Sequence, residues 1–147
     1  MKNTTRIAVS LAVGIVLAGL AAWLMGSLAA IAIPRPFFVA MKEHPVAASL
    51  LHTTLLVQLP AVLLAWVLGC VLFRALGRAT FPLVLAASAP WLVHVVMGGI
   101  AYAAESDLPP AETLGFYFGA SWLGILGVPI GLWLAARTGR HGIVPEA

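Results

Sequence analysis

Residues 46–73 read VAASLLHTTLLVQLPAVLLAWVLGCVLF. No Asp, Glu, Lys or Arg interrupts the run, yet it holds Ser49, His52, Thr53, Thr54, Gln58 and Pro60. A helix needs about 20 apolar residues to cross a bilayer, and this one has them. Hydrocarbon cannot satisfy an amide or an imidazole, so those groups have to face protein. At about 100° per residue, Thr54, Gln58, Ala61, Ala65 and Gly69 fall on one narrow face. A polar pair continued by small residues describes a helix face buried against a neighbour. Ser49, His52 and Thr53 form an adjoining polar patch. Pro60 has no amide hydrogen, so it frees the carbonyl of Leu56 and is expected to kink the helix.

Three more stretches have the same character: residues 7–33, 81–104 and 113–136. The chain is 62% hydrophobic and only 9% charged, against roughly 45–50% and about 25% in soluble domains. Too few polar residues are present to coat a globular surface. The expected fold is all-α: one transmembrane domain, 1–147, a four-helix bundle with a tail from 137 to 147. Spans one and two exceed the thickness of a ~30 Å hydrocarbon slab, which predicts tilt or a protruding end.

The basic residues fall in pairs: Lys2 and Arg6, Arg35 and Lys42, Arg74 and Arg78, Arg137 and Arg140. Pairs at the ends of apolar runs anchor helices at a membrane surface, whereas a nucleic-acid site needs a clustered basic face. No nucleic-acid partner is expected. The N-terminus, the 74–80 loop and the tail hold three of these pairs, whereas the 105–112 loop carries only acids, Glu105, Asp107 and Glu112. The positive-inside rule places both termini in the cytoplasm and the protein in an inner membrane as a multi-pass chain. Ala30-Ile31-Ala32 resembles a signal-peptide cleavage site, but the preceding apolar run is far longer than the roughly 7–15 residues of a signal core. Span one is therefore expected to stay.

Lipid gives helices no hydrophobic reason to associate, so small residues that allow close approach must supply the contact. Span one offers Ser10, Gly14, Ala18, Ala22, Gly26 and Ala30 at four-residue spacing. Span four offers Gly115, Gly119, Gly127, Gly131 and Ala135, including two GxxxG matches. These stripes meet each other or another protein. On span three, Ala87, Pro90, Trp91, His94, Gly98 and Ala101 share a face, and Pro90 frees the carbonyl of Ala86. Gln58 and His94 both lie near the middle of their spans and are expected to face one another across a seam between spans two and three.

The polar intramembrane candidates are His94, Gln58, His52 and Thr54. An ionisable group at such depth is costly and therefore a functional candidate, as a ligand to haem or metal, a proton relay or a binding group. A neutral imidazole giving one interhelical hydrogen bond is the simpler reading for His94, worth about 0.6 kcal/mol. Bis-His haem ligation would pair His94 with His52. Both must reach one iron, and His52 lies about six residues, or roughly 9 Å, nearer the outer surface. His44 and His52 are weak metal candidates without ligand spacing on a helix. No cofactor is expected. The single Cys70 excludes an internal disulfide. Nothing matches a nucleophile elbow, a zinc-protease helix, a phosphate loop or paired carboxylates, so the reading leans away from an enzyme.

Two connecting segments are legible. PRPFFVAMKEH (34–44) suits a short stretch lying at the outer interface. ESDLPPAET (105–113) puts acids and prolines where the first turn of span four favours them. The functional expectation is an accessory or scaffold subunit whose Gly/Ala faces bind partner helices, or itself as a homo-oligomer, within the lipid bilayer. The alternative is a small oligomeric transporter or channel using Gln58 and His94, and a weaker one is a haem- or metal-binding redox subunit.

Overall fold

The chain is described by a computed structural model covering residues 2–31, 35–40, 42–44, 47, 51–77, 79–107, 109–120 and 122–138. Every element described is helical. Helix α1 spans Asn3–Ala29, α2 Arg35–Ala40, a π-helical segment Thr53–Gln58 leads into α3 Leu59–Ala75, α4 spans Phe81–Glu105, α5 Pro110–Ala120 and α6 Trp122–Thr138. Three of these bodies, Asn3–Ala29, Thr53–Ala75 and Phe81–Glu105, are long and apolar enough to cross a membrane. The 27 residues of α1 reach about 40 Å. Its last turn closes earlier than expected, with the Ala30 and Ile31 amides bonding back to Gly26 and Leu28. The fourth stretch is described as helix on both sides of residue 121, Pro110–Ala120 and Trp122–Thr138. Residue 121, between them, lies outside the described residues, as do Met41, Ser49, Arg78 and the tail from 139 onward.

Large apolar side chains cover the outside. Trp23 is 70% exposed and Phe81 76%, and Ile15, Val16, Val71, Val93 and Met97 also point outward. The inside mixes large side chains such as Leu17, Phe73, Trp91 and Leu132 with buried alanines at Ala18, Ala21, Ala61, Ala65, Ala87 and Ala135. Apolar side chains thus cover both inside and outside, and the small residues allow close backbone approach.

Contacts across the glycines fix the arrangement. A Cβ on Gly14 would strike the carbonyl of Ala87, so α1 and α4 touch backbone to backbone there. Further along the same two helices, Met25 shares a cleft wall with Trp91 and Val95, so α1 and α4 run parallel. A Cβ on Gly131 would meet the Val62 carbonyl and, at 2.7 Å, the Ala65 Cβ; one on Gly69 would stand 2.7 Å from the Ala135 Cβ. Along α3 and α6 the contacting numbers rise together, from Val62 with Gly127 to Gly69 with Ala135, so these helices run parallel too. The main seams join α1 to α4 and α3 to α6, and narrower ones join α4 to α6 and α1 to α3. No comparable seam joins α3 to α4 among the described residues. The expected seam between spans two and three is thereby corrected: those helices lie across a diagonal. Their polar groups turn toward α1 and α6.

The small-residue stripe of α1 is used only in part. Ser10, Gly14 and Ala18 are buried, Ala22 is half-buried, and Gly26 and Ala30 are exposed. Each four-residue step advances about 40° around a helix of 3.6 residues per turn, so a strict stripe walks off the contact. Burial instead continues through Leu17 and Ala21. On span two the expected face is present: Gln58, Ala61, Ala65 and Gly69 are buried, and Thr54 is half-buried. On α4 the buried face runs through Leu83, Ala87, Trp91, Val95 and Gly99, so His94 falls at its edge and Ala101 outside it.

Proline explains the local irregularities. Immediately before Pro60 the chain takes a π-helical turn, in which the Leu59 amide bonds to the carbonyl of Thr54, five residues back. The α-helix then restarts with Pro60 in its first turn, where the missing amide hydrogen costs least. The kink expected from Pro60 is thus a widened turn. Helix α5 begins at Pro110 with Glu112 in its first turn, as the acids and prolines of its lead-in require. There the buried Thr113 hydroxyl lies 3.2 Å from both the Pro109 carbonyl and the Ser106 hydroxyl. At the opposite end, Arg137 lies over the Trp133 ring at 3.8 Å in the last turn of α6, a cation–π contact near the negative end of the helix.

Helix α3 stops at a left-handed glycine. Gly77 has φ 70 and its amide bonds to the Arg74 carbonyl at 3.1 Å, while the Leu76 amide reaches Leu72 at 2.9 Å. A side chain at this backbone conformation costs about 1–2 kcal/mol. Gly77→Val should lower thermal stability in detergent accordingly, while Gly19→Ala, in open space within α1, should not.

Candidate functional site

The polar candidates separate into three environments. Gln58 ends the π-helical segment and is only 5% exposed. Its amide nitrogen lies 3.5 Å from where a Cβ on Gly124 would stand, and the Met25 methyl lies 3.6 Å from the same point. His94, midway along α4, is exposed, with its ring 5.6 Å from that of Trp91 at 36°. His52 is half-buried, and its Nε2 is buried without a hydrogen-bond partner. Thr54 is half-buried, and His44 is exposed in the short segment after α2.

Gln58 and His94, expected to face each other directly or through a water, share no direct hydrogen bond among the described residues. They approach the same place from different helices. A cleft of about 210 Å³ opens on the side of the protein, lined by Ala22 and Met25 of α1, Trp91, His94 and Val95 of α4, and Gly124 and Ile125 of α6. His94 stands on its wall. Gln58 lies beside Gly124, where the absent side chain lets the amide come close.

One bond holds the cleft in shape. Pro129 lies inside α6 and lacks the amide that would bond to Ile125, four residues back. Trp91 Nε1–H donates to that Ile125 carbonyl at 2.9 Å. A freed acceptor in an apolar setting is thus satisfied by an indole from α4, which fixes the α4–α6 crossing. Trp91 is 3% exposed. The sequence holds the signal for this, since any internal proline exposes the carbonyl four residues earlier. The pairing with a tryptophan on another helix has no signature in one chain.

The helix-packing candidates divide in the same way. Gly14, Ala18, Gly127 and Gly131 are buried inside this chain. Gly26 and Gly115 face open space, and the surroundings of Gly119 lie outside the described residues. Ser10, read from sequence as a packing residue, is fully buried with its hydroxyl unpartnered. A second polar cluster, unforeseen from sequence, ties α3 to the end of α6: Trp66 Nε1–H donates to the Thr138 hydroxyl at 3.3 Å, and Cys70 Sγ lies 3.6 Å from it. Among the described residues no three His, Cys, Asp or Glu side chains gather as a metal site would require.

These features define an all-helical protein whose long apolar helices suit insertion in a membrane. Set against protein-family models, curated proteins and solved structures, the chain matches none.

Proposed function

We propose that the chain is a four-span protein of a bacterial-type inner membrane, with both termini cytoplasmic, acting as an accessory or scaffold subunit for other membrane helices. In this reading α5 and α6 together make the fourth crossing. The parallel pairing of α1 with α4 and of α3 with α6 supports this order of crossings. Spans two and four run the same way, as alternate spans of an up-down chain must. The observation that carries the partner-binding role is the outward face of α1. A Cβ added at Gly19 or at Gly26 would meet nothing within 4 Å, and Trp23 stands exposed between them. Glycines already engaged inside the fold, Gly14, Gly69, Gly127 and Gly131, cannot serve a partner.

A photo-crosslinking residue at position 23 tests the role in native membranes. A discrete protein adduct, lost when Gly26 becomes Leu, is the expected result. Crosslinks to lipid alone would end the scaffold reading. The carrier or channel reading, with Gln58 and His94 as its polar site, keeps one supporting observation, the side cleft. It requires that His94→Leu with Gln58→Leu abolish solute flux in proteoliposomes.

A further inference from the structure

We infer that the side cleft binds the ring of a lipid-soluble molecule bearing carbonyl or hydroxyl oxygens, of the benzoquinone class, entering from the hydrocarbon phase. This rests on the membrane reading but not on the scaffold role. Three features of the cleft argue together.

The first is size and lining. A volume of about 210 Å³ exceeds the roughly 150 Å³ cavity that admits a benzene ring. It falls short of the roughly 300 Å³ at which drug-sized sites begin. One ring fits, with any tail left in the lipid. The wall is apolar apart from His94, with Met25 and Val95 to pack on a ring edge and face.

The second is hydrogen bonding. Neither the His94 imidazole nor the Gln58 amide has a hydrogen-bond partner among the described residues, whereas the Trp91 indole is already committed to Ile125. Imidazole and carboxamide each offer a donor and an acceptor, so they suit a carbonyl oxygen and its hydroxyl form equally. A hydrocarbon chain would leave both unsatisfied.

The third is Gly124. A Cβ there would sit in ordinary contact with the Gln58 amide and the Met25 methyl, at 3.5 and 3.6 Å. Alanine is therefore tolerated by the fold, and its methyl would take up space at the one cleft-lining residue that the Gln58 amide approaches. The glycine keeps that approach open.

The test uses the full chain in lipid nanodiscs, with a decyl-substituted benzoquinone as probe and quenching of tryptophan fluorescence as readout. Trp91, in the cleft wall, is retained while Trp23, Trp66, Trp122 and Trp133 are replaced by Phe. Co-flotation with the lipid and helical circular dichroism report insertion and folding separately. The expected result is saturable quenching, with affinity reduced about tenfold by His94→Leu and by Gln58→Leu, and reduced also by Gly124→Ala. Quenching that rises linearly with the quinone-to-lipid ratio and is equal in all variants would overturn the inference. So would equal competition by decylbenzene, which would make the cleft a groove for acyl chains. Failure to float with lipid would instead refute the membrane reading.

Discussion

Replacing Gly131 with leucine should drive α3 and α6 apart and cost at least about 3 kcal/mol, the upper range for overpacked cores. The reason is geometric. A Cβ at this position collides with the carbonyl of Val62 and approaches the Trp66 amide nitrogen to 2.9 Å. Backbone atoms cannot rotate aside as a flexible side chain does, so the helices must separate. Separation also disrupts the neighbouring contact of Gly69 with Ala135. Gly14→Leu should behave alike through Ala87. Gly115→Leu and Gly26→Leu, with nothing within 4 Å, should change stability by less than about 0.5 kcal/mol. Thermal unfolding of the four variants in one detergent measures the contrast. Equal losses at all four positions would mean that the close approaches do not set the cost, since helix propensity alone favours leucine over glycine at each.

Trp91→Ala should be of similar size, about 3–5 kcal/mol, because it empties a buried aromatic site and strips the Ile125 carbonyl of its donor. Trp91→Phe isolates the hydrogen bond from the packing and should cost about 0.6–1.7 kcal/mol. Pairing it with Pro129→Ala gives a sharper result. Alanine at 129 restores an amide that can bond to Ile125 within α6, so the indole becomes redundant. The cost of Trp91→Phe should then fall toward zero in the Pro129→Ala background. An undiminished cost would show that Trp91 holds the crossing by shape alone.

The helical class, the long apolar stretches and the inward face of span two were legible from residue type and period alone. Gln58, Ala61, Ala65 and Gly69 are buried because a polar group and small residues at helical spacing leave a helix few other ways to pack. The small-residue stripe of α1 was legible only for its first half. A four-residue repeat is not the helical period, and Gly26 turns outward for that reason. What single-chain pattern could not supply was which helix lies beside which. The sequential neighbours, spans two and three, were expected to share a seam, but the close approaches permitted by Gly14 and Gly131 join alternate helices. That rearrangement separates Gln58 from His94 and brings each to Gly124 and Met25 instead. The capping of Ile125 by Trp91 follows from the same arrangement and was equally hidden.

The arrangement of the helices underlies both the cleft and the proposed docking face, and one substitution tests it using the native thiol. Cys70 Sγ lies 3.6 Å from the Thr138 hydroxyl, so Thr138→Cys places a second thiol at that position, between α3 and α6. Mild oxidation should close an intramolecular disulfide in this variant, detected by mass after proteolysis in the connecting segments. Cysteines at positions 58 and 94, in a Cys70→Ser background, should stay reduced under the same conditions. Rapid closure of 58 to 94 with none of 70 to 138 would refute the diagonal packing, and would restore the side-by-side pairing of the two middle helices.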